Sequence, residues 1–312
     1  MPYATPIRIV SHAIPCCRRD SLSVGVISLA STNGSIVAMM PSLRPAAIAF
    51  DAIAPDFDFR FGAWLSVAAQ RRAVRAALLQ TLPRNGHILE LGGGTGEDAV
   101  FLAEHGFDLH LTDPSPTMVA LAKTKLAPLG AKAEIAAAED LQDVADRLLS
   151  HGGDLFDGAF SNFAPLNCTV DLNPVARGLA RMLKQGAPAM LVLFGTFCPG
   201  EMVTELLRGR PRQALRRGKR GPVPARLGGR EFNVVYHRRS EMVKAFSPWF
   251  ELERRYGIGV TVPPSAAEPW ISTHAHILAL MERLDHVISR PLAALGDHVL
   301  YQFRRTTAPV TP

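Results

Sequence analysis

Cysteine and the large aromatic residues are scarce in this sequence. Its 312 residues include 4 cysteines, 3 tryptophans and 4 tyrosines. No Cys-x-x-Cys pair occurs, and no group of Cys and His residues has the spacing of a metal site. The adjacent residues Cys16 and Cys17 make a poor disulfide pair. We therefore expect reduced thiols, no bound metal and a cytoplasmic protein.

A long apolar run is also missing. The uncharged stretch 21–40 follows Arg18 and Arg19, but seven of its twenty residues are Ser, Thr or Asn. That composition is too polar for a transmembrane helix, and no clear small-residue cleavage site marks a signal peptide. We expect residues 1–40 to be a flexible leader, or to precede a true start near Met40, and residues 41–312 to form the folded domain.

Positive charge is concentrated in one segment. Residues 201–240 contain eleven Lys or Arg and three acids, a net charge of +8, which leaves −2 for the rest of a chain whose total is +6. Two interpretations stay open. The segment attracts an acidic partner, which would be an anionic small molecule, a phospholipid surface or RNA, or it is a solvated arginine-rich face without a partner. Only Phe232 and Tyr236 are aromatic there, so a platform for stacking bases is disfavoured.

Strand-like and helical segments alternate along the middle of the chain. Alternation of this kind predicts parallel strands with helices on both faces, a Rossmann-like doubly wound α/β fold with a seven-stranded sheet. We interpret residues 197–240 as a helical and hairpin insertion after the fifth strand, over the mouth of the sheet, that shapes a substrate pocket together with residues 263–290. The predicted strands are 87–91, 107–113, 133–138, 155–163, 188–196, 250–262 and 298–305; the predicted helices are 61–82, 97–105, 116–130, 141–152, 171–186, 240–248 and 272–290.

Four glycines lie within residues 92–96, between the first strand and its helix. A phosphate-binding loop of the GxxxxGK[ST] type needs a lysine that is absent, and a dinucleotide fingerprint needs a third glycine where Glu97 stands. What remains is an E-x-G-x-G-x-G turn formed by Glu90, Gly92, Gly94 and Gly96. The acids Glu90, Glu97 and Asp98 disfavour a pyrophosphate and favour a cationic ligand, such as the sulfonium and α-ammonium groups of S-adenosylmethionine.

These motifs together resemble the class I S-adenosylmethionine-dependent methyltransferases, in particular the small-molecule, type 11-like members. The resemblance is close over residues 48–196. It implies that Asp113, at the end of the second strand, binds the ribose hydroxyls, and that residues 50–58 close over the cofactor. Other implied contacts are Met118 against the adenine, Ala138 and Glu139 at the adenine edge, and Ser161 beside the methionine and the reaction site.

Two of these residues have simpler interpretations. Asp113 precedes Pro114 and would also suit a helix cap, while Met118 lies on an apolar helix face and would also suit the core. Both alternatives stay open at the level of sequence.

Methyl transfer from an activated sulfonium does not require a dedicated base. The weak candidates for one are His237 and Tyr236, followed by His274 and His276. Covalent catalysis by Cys198 is disfavoured, because the stretch after the fourth strand lacks the Pro-Cys of cytosine-5 enzymes. The same stretch lacks the [DN]-P-P-[YFW] turn of enzymes that methylate amino groups on bases, which weakens a nucleobase substrate.

The sequence thus predicts methyl transfer to a small molecule of anionic or lipid-like character. One alternative is an RNA methyltransferase that uses the arginine-rich segment 208–239, although nucleic acid is the less favoured partner. Another is a subunit that binds the cofactor without catalysis. Peripheral membrane contact and the oligomeric state stay open.

Overall fold

A single seven-stranded sheet organises the computed structural model, which describes residues 44–310. The strand order is β3-β2-β1-β4-β5-β9-β8, so the predicted doubly wound fold is confirmed. Strands β1 to β5 are parallel, and β9 is antiparallel to both of its neighbours, β5 and β8. The expected flexible leader, residues 1–40, lies outside the described residues. The strands of the sheet are β1 His87–Leu91, β2 Asp108–Asp113, β3 Lys132–Ile135, β4 Gly158–Ser161, β5 Pro188–Phe194, β8 Phe250–Ile258 and β9 His298–Arg305.

Apolar side chains are buried on both faces of the central strands. In β1, Ile88 belongs to one buried cluster, whereas Leu89 and Leu91 belong to another, because successive side chains of a strand point to opposite faces. Burial on both faces accounts for the continuous apolar run of β5, all but the last residue of which is buried.

Helices cover both faces of the sheet. The helix predicted over 61–82 is divided, with one helix ending at Gly62 and a longer one beginning at Leu65. The helix predicted over 272–290 begins at Ala275, after a separate short turn. The helices are α1 Pro45–Asp51, α2 Phe57–Gly62, α3 Leu65–Thr81, α4 Glu97–Glu104, α5 Pro116–Leu126, α6 Leu141–Ser150, α7 Asn173–Met182, α8 Pro199–Leu207, α9 Pro211–Ala214, α10 Arg239–Phe246, α11 Glu268–Ile271 and α12 Ala275–Ile288.

The segment 197–240 contains α8, α9 and a β-hairpin of β6 Pro222–Leu227 and β7 Arg230–Val235. Gly228 and Gly229 join the two strands with φ of +55° and +77°, which suits the two-residue turns of hairpins. The segment is thus the expected helical and hairpin insertion, and its strand β6 includes Pro222 and Pro224. They occupy alternate positions of a two-stranded ladder, where the backbone nitrogen can face away from the partner strand.

Candidate functional site

The glycine turn lies at the carboxyl end of β1 and packs closely against its surroundings. Gly92 and Gly93 donate their N–H groups to the Thr112 carbonyl at 2.8 and 3.1 Å. Gly92 has φ +64°, and a Cβ there would lie 2.3 Å from Cβ of Pro165, in the segment after β4. Gly94 also has a positive φ, +56°, but the nearest atom to its Cβ position is 4.0 Å away. The turn is therefore closed at Gly92 and open at Gly94, the side on which a ligand has room.

Glu90 is a buried carboxylate without a full set of partners. Its side chain points under the turn, since a Cβ on Gly93 would lie 2.7 Å from the Glu90 Cδ, and so Gly93 joins the residues that shape the site. The Oε2 atom is buried and finds no hydrogen-bond donor within residues 44–310. Burial, reinforced by the nearby charge of Asp98, raises the pKa of Glu90 well above its ordinary value. A cationic ligand group would supply the missing partner.

The other two acids of the turn are already paired within the protein. Asp98 accepts hydrogen bonds from Arg75 Nε at 2.6 Å and from Asn162 Nδ2 at 2.8 Å. Glu97 accepts from Lys125 Nζ at 2.5 Å. The three acids therefore do not act together on a ligand as the sequence suggested, and Glu90 is the one left with an unpaired oxygen.

Asp113 ends β2 beside the turn. Its Oδ2 accepts from the Gly94 N–H at 2.9 Å, and its Oδ1 accepts from the Ser115 N–H at 2.8 Å. Ser115, not Asp113, caps α5, because its Oγ accepts from the Met118 N–H at 3.1 Å. Burial raises the pKa of the Asp113 carboxyl to about 6, against the opposing effect of the two backbone hydrogen bonds.

The segment formed by α1 and α2 lies on the turn. Asp51 Oδ1 accepts from Ser115 Oγ at 2.7 Å, and Asp58 Oδ1 accepts from Thr95 Oγ1 at 2.6 Å. The Phe50 ring lies 5.9 Å from the Phe232 ring of the hairpin. Both the segment before the sheet and the insertion after β5 thus reach the same edge of the sheet.

The remaining predicted cofactor residues have mixed environments. Met118 is buried, and its Sδ is the atom that lies 4.0 Å from the Gly94 Cβ position. Glu139 is half-buried, with Oε1 3.9 Å from Arg44 Nε, and Ala138 packs at the margin of the core. Ser161 Oγ donates to the Leu91 carbonyl at 3.0 Å and so ties β4 to β1. Their contacts with a cofactor stay predictions.

The predicted base candidates are buried, lie beside backbone carbonyls or are exposed at the surface. His237 is buried with Nε2 2.9 Å from the Thr169 carbonyl, so that nitrogen donates in the neutral ring. Burial lowers the pKa of His237 and raises that of Tyr236, which keeps both side chains neutral near pH 7. His274 precedes α12 with Nδ1 2.8 Å from the Trp270 carbonyl, and His276 is exposed.

The structure points instead to His298, which the sequence analysis did not single out. It begins β9, opposite Phe194 at the end of β5, and its ring stacks on the Phe194 ring at 4.8 Å. The edge of Phe163, which follows β4, lies 5.8 Å away. Nδ1 is 3.3 Å from Asp297 Oδ2. Only the placement of β9 beside β5 brings this Asp-His pair to the carboxyl edge of the parallel strands.

Three negative findings concern the Cys198 thiol, metal ligands and membrane-spanning helices. Cys198 is buried, and burial together with Asp297 raises the pKa of its thiol to about 11, so a nucleophilic thiolate is not formed near pH 7. In residues 44–310 no three Cys, His, Asp or Glu side chains converge in a way that would hold a metal ion. In that same range, every helix is too short or too polar to cross a bilayer.

Comparison with known proteins gives a consistent result. A family model described as a methyltransferase domain matches residues 88–186. The CcbJ methyltransferase of Streptomyces caelestis is 16% identical with a TM-score of 0.52, covering 83% of this chain and 98% of its own. A structure named as an S-adenosylmethionine-dependent methyltransferase of Listeria monocytogenes is 16% identical with a TM-score of 0.50, covering 75% and 99%. No curated protein matches in a sequence search. At these identities the structural likeness shows the fold alone.

Proposed function

We propose that this chain, whose residues 88–186 match a methyltransferase domain, is a class I S-adenosylmethionine-dependent methyltransferase. Its acceptor would be a small molecule of anionic or lipid-like character. S-adenosylmethionine is the cofactor that this family and fold imply. The observation that carries the assignment to this site is the buried, unpaired Oε2 of Glu90 beside a glycine turn that is open at Gly94. A buried carboxylate oxygen without a donor fits the α-ammonium of that cofactor.

Two acids would hold the cofactor at its two ends. Glu90 would accept from the α-ammonium, and Asp113 would accept from the ribose hydroxyls. Bound there, S-adenosylmethionine supplies a methyl group already activated on a sulfonium, with a neutral thioether as leaving group. The protein then has to align the acceptor for in-line displacement and exclude water, for which α1, α2 and the hairpin are placed at the same edge of the sheet.

The acceptor would lie beyond the ends of β4 and β5, between Phe163 and Phe194. His298 is in contact with both rings, and Asp297 Oδ2 lies 3.3 Å from its Nδ1, which has no hydrogen-bond partner within residues 44–310. Placed between the two rings, the imidazole would take the proton of an O–H or N–H acceptor at Nε2. His298 thus replaces His237 and Tyr236 as our candidate base.

Transfer of label tests the function. The protein is incubated with methyl-labelled S-adenosylmethionine and a cell extract, and protein, RNA, lipid and small-molecule fractions are separated. We expect label in the small-molecule or lipid fraction. Label confined to RNA, and lost on deletion of residues 208–230, would establish the RNA alternative. Bound cofactor with no label in any fraction would support the non-catalytic alternative.

The RNA alternative is weakened by the pairing of the basic segment. Arg216 and Arg217 bind Glu201, and Arg208 and Arg210 lie within ion-pair distance of Glu205. Glu201 and Glu205 thus offset part of the positive charge of these four arginines, which leaves less of it for a phosphate backbone.

A variant of His298 tests the proposed base. In the labelled-transfer assay, His298→Gln is expected to lower the rate by about 10²–10⁴-fold for an acceptor that loses a proton, the usual contribution of a positioned base. Binding of S-adenosylhomocysteine, measured by calorimetry, should not change. His276→Gln, an exposed histidine of α12, serves as the control. An unchanged rate, or loss of cofactor binding in parallel with the rate, would contradict this role.

A further inference from the structure

Helix α8 exposes apolar side chains to solvent. Val203, Leu206 and Leu207 have exposed fractions of 57%, 53% and 84%. Their spacing of three and four residues places them on one face of the helix. Leu215, just after α9, is 62% exposed. We call these four residues and their basic neighbours, described next, the α8 surface.

The acids of α8 face the opposite way. Glu201 and Glu205 are buried at 4% and 8% exposure and are bound by arginines from the following turns. A surface helix ordinarily turns its apolar side inward and its charges outward. This helix does the reverse, so its leucines are left for a contact beyond residues 44–310.

Exposed basic residues follow the exposed leucines along the chain. Arg212, Lys219 and Arg220 are exposed, and none of them has a carboxylate partner within residues 44–310. The α8 surface therefore combines apolar side chains with uncompensated positive charge, and both nearby acids are turned away from it.

We propose that the α8 surface docks on an anionic lipid bilayer. Apolar side chains that insert at the headgroup boundary and cations that attract acidic lipids are the two elements of peripheral membrane binding. RNA would use the cations but not the leucines, and the segment has few aromatic rings for bases. A second copy of the chain would use the leucines, but a symmetric contact would bring the same arginines together.

The position of α8 makes this contact relevant to the site. The helix begins right after β5, and its capping residue Cys198 lies 3.9 Å from Asp297 through Sγ. A bilayer on the α8 surface would therefore lie close to the edge of the sheet where His298 stands, and an amphipathic acceptor could reach the site without crossing water.

Vesicle flotation tests the proposal with the full chain and neither cofactor nor acceptor, so its outcome is independent of the proposed methyl transfer. We expect binding to vesicles of 70% phosphatidylcholine and 30% phosphatidylglycerol, little binding to phosphatidylcholine alone, and release by salt. Leu206→Ser with Leu207→Ser should lower the partition coefficient more than about tenfold. Arg212→Ser, Lys219→Ser and Arg220→Ser together should lower it about a hundredfold, from about fivefold per basic residue.

Leu280→Ser with Val287→Ser is the matched control. These residues of α12 are 67% and 73% exposed but lie outside the basic segment, and their loss should leave the partition coefficient unchanged. An equal loss in this control would overturn the proposal, as would absence of binding to the anionic vesicles. A leucine-dependent dimer without lipid binding would assign the surface to a second copy. Binding to poly-uridine that survives the leucine changes would assign it to RNA. A cooperative thermal unfolding transition with a midpoint close to that of the wild-type protein shows that each variant is folded.

Discussion

Replacing Asp113 with alanine is expected to weaken the binding of S-adenosylhomocysteine, the demethylated product, by at least about a hundredfold. Hydrogen bonds to a charged acceptor contribute about 1.5–3 kcal/mol each, and the two ribose hydroxyls would lose both. In the wild-type protein, product at about 100 times its dissociation constant should add about 2.7 kcal/mol of stability, and this gain should vanish in the variant. Titration calorimetry and thermal unfolding measure the two effects.

The pH dependence of binding gives this prediction a second readout. Burial raises the pKa of the Asp113 carboxyl to about 6, and a protonated carboxyl is a poor acceptor for hydroxyls. Affinity for 5′-methylthioadenosine, which has the ribose but no amino-acid end, should fall up to tenfold per pH unit below about 6 and be constant above it. Asp113→Asn should remove that slope. A slope that persists in the Asn variant would show that another group titrates.

The stability of the free protein should show the opposite dependence on pH through the Asp113 carboxyl. A carboxyl whose pKa is raised in the folded state keeps a proton that the unfolded chain has already released. Between pH 4 and 6 the Asp113 contribution to stability therefore decreases as the pH rises. A bound ligand offsets that loss, because hydroxyl donors favour the charged carboxylate.

Glu90→Gln separates the two ends of the cofactor. The amide keeps the shape but cannot pair with an ammonium, so binding of S-adenosylhomocysteine should weaken about ten- to a hundredfold. Binding of 5′-methylthioadenosine should stay within about twofold. Asp113→Ala, by contrast, should weaken both ligands. If Glu90→Gln weakened both equally, Glu90 would be shaping the turn and not holding the ammonium.

Local signals in the sequence predict the ends of some strands well and the ends of others less well. Strand β1 and strand β9 begin and end where the pattern placed them, at 87–91 and 298–305. The fourth strand is shorter than the predicted 155–163, since Phe163 and Ala164 have φ of +54° and +64°, which ends a strand. No residue-type rule predicts a positive φ at phenylalanine.

The sequence predicts the part of the site that is formed by β1, the glycine turn and the end of β2. Spacing alone brings Glu90, the glycines and Asp113 to the same edge of the sheet. Which acids remain free for a ligand depends on Arg75 and Lys125, which come from distant helices. His298 depends on an antiparallel strand that enters the sheet about a hundred residues after its neighbour β5, a pairing that periodicity does not encode.

Arg217→Met is expected to lower the free energy of unfolding by about 3–5 kcal/mol, the cost of removing one partner from a buried ion-pair network. Arg217 is 6% exposed and binds carboxylates of both Glu201 and Asp297, with Nη2 2.6 Å from Asp297 Oδ1. Its Nη1 also donates to the Gly195 carbonyl at 3.2 Å. One guanidinium thus joins the end of β5, helix α8 and the start of β9.

Charge interactions among Arg217, Glu201 and Asp297 explain why Arg217→Met should lower the free energy of unfolding by this much. Burial opposes the charge of Asp297, but His298 and Arg217 outweigh it and hold the pKa of Asp297 below its ordinary value. Burial likewise opposes the charge of Arg217, whose pKa is nevertheless raised by Asp297 and Glu201. Removing the arginine leaves two buried carboxylates close together without their guanidinium, and protonation of one or both is the least costly response.

Arg216→Met is the matched control, because Arg216 Nε binds the other oxygen of Glu201 at 2.9 Å but its side chain is 40% exposed. A partly solvated pair contributes less than about 1 kcal/mol. Urea unfolding midpoints should therefore separate the two variants, and equal midpoints would contradict the prediction. A triple variant combines Glu201→Gln, Arg217→Met and Asp297→Asn, so that none of these three buried side chains carries a charge. Much of the stability should return, because the cost lies in the uncompensated carboxylates and not in the absence of the arginine itself.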